Sequence, residues 1–64
     1  MSKTQVKVKL SGTDGNVFAL AGKVSGALKK AGYTDLAKEF TSELFKQGSY
    51  ADALNLMGEY VIVS

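Results

Sequence analysis

The stretch TQVKVKLS, residues 4–11, decides whether this chain is all-helical or mixed. Val6, Val8 and Leu10 alternate strictly with Gln5, Lys7 and Lys9. That two-residue period belongs to a strand with one buried and one solvated face. The outward lysines also discourage edge-to-edge pairing with another chain. The segment GTDGN (12–16) then breaks the pattern. Gly12 and Gly15 admit a turn, and Thr13, Asp14 or Asn16 offers a side-chain oxygen to cap a following helix.

Beyond the turn, NVFALAGKVSGALKKAG (16–32) changes to helical spacing. Val17, Leu20, Val24, Leu28 and Ala31 share one face at 100° per residue, with Ala21 and Ala27 on its flanks. Gly32 stands where a C-cap belongs, after Lys29 and Lys30, whose charges suit the end of a helix dipole. A second helix is expected over 35–47, burying Leu36, Ala37, Phe40 and Leu44 and stopping at Gly48. Ser49, with Asp52 three residues on, resembles a capping box. It opens a third helix over 50–57 that buries Tyr50, Ala53, Leu54 and Met57 and ends at Gly58. EYVIVS (59–64) is rich in β-branched and aromatic residues and reads as a closing strand.

The expected fold is therefore a small α+β domain spanning 1–64, ordered β-α-α-α-β. Two lone strands are marginal without a partner and a cover. The first and last strands should pair as a ribbon packed against three helices. Alternating up-down connectivity would make that pair parallel, whereas antiparallel pairs outnumber parallel ones about two- to three-fold. The expectation adopted is antiparallel.

Composition narrows the functional classes. A chain of 64 residues buries only about 60% of the surface its unfolded form exposes. It has no cysteine and no histidine, so neither disulfides nor a typical zinc site reinforces it. No apolar run approaches the roughly 20 residues of a membrane span, and MSKTQVKVKL lacks a signal-peptide core. The chain reads as cytoplasmic and soluble, with no membrane partner, no metal and no cofactor. Residues 1–32 set six lysines against Asp14, a balance of +5; residues 33–64 set Lys38 and Lys46 against five carboxylates, a balance of −3. Either the first half meets an acidic partner such as nucleic acid, or the two halves attract each other.

The stretch GKVSG (22–26) places two glycines inside the first helix, at a cost of roughly 1 kcal/mol each relative to alanine. Gly15, Ala19, Gly22 and Gly26 fall within about 60° of one another, opposite the large apolar face. Lys23, Lys29 and Lys30 rim this smooth stripe. Small residues four apart let another backbone approach closely. The expectation is that the stripe packs inside the fold, with Gly22 resisting substitution and Gly26 accepting alanine. The alternative is a face offered to a partner. Phe18 and Phe45 project off the main apolar faces of their helices and are either secondary core contacts or anchors for a partner.

Catalytic signals are thin. GKVSG fails the phosphate-loop pattern, since Val17 and Val24 occupy positions that need Gly and Ser or Thr. GTDG (12–15) could cradle an anion at a helix start, but Asp14 repels one and a turn explains the same residues. Asp35, Glu39 and Glu43 form an acidic stripe, relieved by Lys38 and Lys46 and expected to face solvent. With no His, Cys or Arg, general-base and nucleophilic chemistry has little to draw on, and no enzyme is expected. Lys3, Lys7, Lys9, Lys23, Lys29 and Lys30 give nucleic-acid binding more support, although recognition there favours arginine forks and stacking aromatics.

LSGTDGNVFALAGKVSGALKKAGY, together with the later EF, YADAL and MGEYVIV, resembles a family of short, uncharacterised proteins of bacterial phages and integrative elements. The likeness spans most of 5–63; Gly26 and Gly58 depart from the family's usual pattern. It implies a mobile-element accessory protein acting by binding, and it carries over no functional residues. The function expected is non-covalent interaction with a protein partner or with itself, through Gly22, Gly26, Lys23, Lys29, Lys30, Phe18 and Phe45. The alternative is a sequence-independent nucleic-acid binder using the six N-terminal lysines.

Overall fold

A computed structural model describes residues 2–10 and 16–63. The order is β1 (Lys7–Val8), α1 (Val17–Lys30), α2 (Thr34–Leu44), α3 (Tyr50–Tyr60) and β2 (Ile62–Val63), an α+β domain. The expected turn residues Gly12, Thr13, Asp14 and Gly15 lie outside the described residues.

Local chemistry sets the helix ends. The side chain of Asn16 caps α1, accepting from the Phe18 N–H at 2.8 Å. At the other end Gly32 adopts φ 91°, the left-handed region that costs a Cβ-bearing residue energy. There the Tyr33 N–H reaches the Leu28 carbonyl at 2.8 Å, and the Gly32 N–H reaches Lys29 at 3.0 Å. This double bond pattern is a Schellman cap. Ser49 caps α3, its Oγ accepting from the Asp52 N–H at 3.1 Å, as the capping-box spacing implies.

Two helix ends depart from expectation. α2 stops at Leu44 instead of 47, because the Lys46 and Gln47 N–H groups turn back three residues to Glu43 and Leu44 and tighten the chain. α3 runs through Gly58 to Tyr60, and Val61 ends it by going extended (φ −135°, ψ 166°). The longer helix shifts its inward face to Ala53, Leu56, Met57 and Tyr60, spaced i, i+3, i+4 and i+7. Tyr50, expected in the core, is instead exposed, and Leu54 is half-buried. Ala31, likewise expected inside, is exposed because the chain has already left the helix there.

The strands pair as expected but in parallel, with Lys7 opposite Ile62 and Val8 opposite Val63. The antiparallel expectation is overturned by connectivity. Antiparallel frequency reflects mostly short hairpins, whereas these strands are joined by a three-helix crossover that returns the chain in its original direction. The ladder is shorter than the 4–11 pattern because the residues before it have another task. The Lys3 N–H donates to the Glu59 carbonyl at 2.7 Å, and the buried Thr4 hydroxyl donates to Tyr60 at 2.8 Å. The first segment thus satisfies carbonyls that α3 leaves open at its C-terminus.

The core joins Val8 to Leu20, Ala21, Val24 and Leu28 of α1, Ala37 and Phe40 of α2, Leu56, Met57 and Tyr60 of α3, and Val61. Val6 and Leu10 pack half-buried against it, while Gln5, Lys7 and Lys9 stay exposed, as the alternation requires. The rings of Phe40 and Tyr60 meet edge to face at 5.4 Å.

Candidate interaction surface

Because α1 buries its Leu20–Val24–Leu28 side, the opposite side faces outward. Ala19, Gly22 and Gly26 are exposed, and a Cβ added at Gly22 or Gly26 would meet nothing within 4 Å. The expectation that this stripe packs internally is overturned, and with it the expectation that Gly22 resists substitution. The reason is that α1 sits at the margin of the fold, so no second layer among the described residues covers it. Gly15, the first member of the stripe, lies outside the described residues.

Phe18 sits one residue into α1 on this outward side, 68% exposed. Phe45, the C-cap of α2, is 72% exposed, and Tyr50, the first residue of α3, is 46% exposed. The fold brings all three rings to one groove of about 320 Å³. Its walls are Val17 and Phe18 from α1, Leu44 and Phe45 from the end of α2, residues 47–49 of the connecting turn, and Tyr50 and Ala53 from α3. The turn is held partly by Gln47, whose Nε2 donates to the Glu43 carbonyl at 2.9 Å. Among the described residues, none that lines it is charged. Tyr50 was missed in the sequence because a ring at the start of a helix reads as core when the helix end is set three residues short.

The lysines fare differently. Lys7 and Lys9 are exposed on and after β1, and Lys23, Lys29 and Lys30 are exposed along α1. Lys3 is engaged: its Nζ lies 2.8 Å from Glu39 Oε2 and 4.7 Å above the Tyr60 ring. The Tyr60 hydroxyl donates to the same Glu39 oxygen at 2.6 Å. Lys3, then Tyr60, hold the Glu39 carboxyl below its ordinary value, and the Glu39 bond raises Lys3. Burial, reinforced by the Glu39 bond, raises the Tyr60 phenol. This cluster joins the basic half of the chain to the acidic half. Within the acidic stripe, Glu43 pairs with Lys46 at 3.1 Å, so one of the two expected lysines provides relief.

Among the described residues no group of three or more His, Cys, Asp or Glu side chains could hold a metal ion. No helix there is long and apolar enough to cross a membrane. No family model, curated protein or solved structure matches the chain.

Proposed function

We propose that this chain is a small, non-catalytic interaction protein that binds protein, a second copy or another chain, through the groove lined by Phe18, Phe45 and Tyr50. One observation carries the reading. Among the described residues, five large hydrophobic side chains are markedly exposed, and three of them, Phe18, Phe45 and Tyr50, line the same groove. Aromatic side chains clustered at a recess are the usual anchors of protein interfaces. The resemblance to proteins of phages and integrative elements supports an accessory role of this kind in the bacterial cytoplasm.

The test is retention of protein by the immobilised chain, compared with Phe18→Ser and Phe45→Ser variants at low and high salt. Protein held by the parent at high salt and lost by both variants supports the reading. Equal retention by parent and variants overturns it. The exposed lysines of α1 and β1 favour a second reading, sequence-independent nucleic-acid binding. Titrating generic duplex DNA separates the two, because phosphate contacts weaken steeply with salt and an apolar contact does not.

A further inference from the structure

Residues 2–6 are tied to the rest of the fold mainly by polar bonds. The Lys3 N–H donates to the Glu59 carbonyl at 2.7 Å, and the Thr4 hydroxyl donates to the Tyr60 carbonyl at 2.8 Å. The Ile62 N–H donates to the Val6 carbonyl at 2.8 Å. Apolar anchorage is slight. Lys3 and Gln5 are exposed, Ser2 and Val6 are half-buried, and the one buried side chain, Thr4, is polar. The first buried apolar residue is Val8, which joins the core shared by the three helices.

A segment held this way opens on its own when its bonds cost less to break than the core costs to unfold. Water replaces each backbone bond at small net cost, and no buried apolar side chain leaves the core. One further contact clasps the segment to the helices. Lys3 Nζ lies 2.8 Å from Glu39 Oε2 and 4.7 Å above the Tyr60 ring, so it bridges α2 and α3. The Tyr60 hydroxyl, 2.6 Å from the same oxygen, holds the carboxylate in place for it. Both charged side chains are about half exposed, so the pair parts without stranding a buried charge.

We infer that residues 2–6 form a strap that opens as a unit while the three helices stay folded, with the Lys3–Glu39 pair as its latch. Opening bares one face of the Tyr60 ring and the backbone groups at 59, 60 and 62 that the strap satisfies. None of these residues lines the Phe18–Phe45–Tyr50 groove, so the strap governs a separate surface.

Hydrogen exchange of the full chain, followed amide by amide in rising sub-denaturing urea, tests the strap. The residue 3 and Ile62 amides should exchange at least about tenfold faster than those of Val24 and Phe40 inside α1 and α2. Their exchange should depend little on urea, because opening the strap exposes little surface. Lys3→Gln and Glu39→Gln should each speed the residue 3 and Ile62 amides by about three- to fivefold. Lys46→Gln, which breaks the separate Glu43–Lys46 pair, should leave those amides unmoved. Strap amides that share the urea dependence of the helices would show one cooperative unit and overturn the inference. Strap amides that open early yet ignore both latch variants overturn it as well.

Discussion

At the residue scale, glycines that look alike in sequence do opposite things. Gly22 and Gly26 are helical, exposed and free of neighbours within 4 Å of an added Cβ. Alanine at either site adds helix propensity and removes freedom from the unfolded chain without a clash. Gly22→Ala and Gly26→Ala should each stabilise the isolated protein by about 0.5–1 kcal/mol. Gly32 also has open space around it, but its φ of 91° excludes a comfortable side chain. Gly32→Ala should cost about 1 kcal/mol or more. Urea melts of the three variants at low concentration check the signs, and a destabilising Gly22→Ala would mean that the outer face of α1 is covered after all. The sequence revealed that the stripe is smooth. It could not reveal that the stripe is bare, because a helical wheel gives directions around one helix and not the number of layers outside it.

The elements are tied by a cluster that no single helix contains. Lys3 from the first segment, Glu39 from α2 and Tyr60 from α3 converge on one carboxylate oxygen. Glu39 titrates below its usual 4.5 when folded, so its contribution is present above that value and fades as pH falls through the lowered one. Tyr60 and Lys3 titrate above their usual 10.0 and 10.5, so theirs is present below those values and fades as pH rises through the raised ones. The stability difference between the parent and Glu39→Gln should accordingly be largest near neutrality and shrink below pH 4 and above pH 10, roughly. Chemical denaturation across that range checks it; a difference constant with pH would sever the link to these ionisations. Charge balance anticipated attraction between the halves but not its members. Glu39 read as one of three equivalent carboxylates, and the ammonium and ring beside it come from residues 36 before and 21 after it, in that order.

For the molecule as a whole, element order and the α1 face were legible because helical and strand periods differ sharply and capping residues mark the joints. Strand direction was misread because the general frequency of antiparallel pairs was set above the up-down connectivity that three intervening helices impose. The role of Thr4 was hidden. A lone threonine at a strand start gives no sign of the α3 carbonyl 56 residues away that it serves. Closure of the fold by its last residues is directly testable. Removing 60–64 deletes Tyr60 and Val61 from the core together with β2, each buried side chain worth about 1.5–3 kcal/mol. The truncated chain should lose its cooperative thermal transition, and a sharp melt near the parent's would show that the ribbon is dispensable.

Parallel pairing of the two end segments also fixes how the protein bears tension. Residue 3 lies beside 59, residue 4 beside 60, residue 7 beside 62 and residue 8 beside 63, so the chain's two ends leave the seam at opposite extremities. A force drawing the ends apart slides one segment along the other and loads every bond in the seam at once. Had the pair been antiparallel, the same force would peel the bonds open one by one. Stretched in an optical trap by handles at positions 2 and 63, the domain should give way abruptly, in a single rupture. With handles at 9 and 63, which leave the seam from the same side, it should unzip at markedly lower force. Equal rupture forces in the two geometries would mean that the seam is not what resists extension.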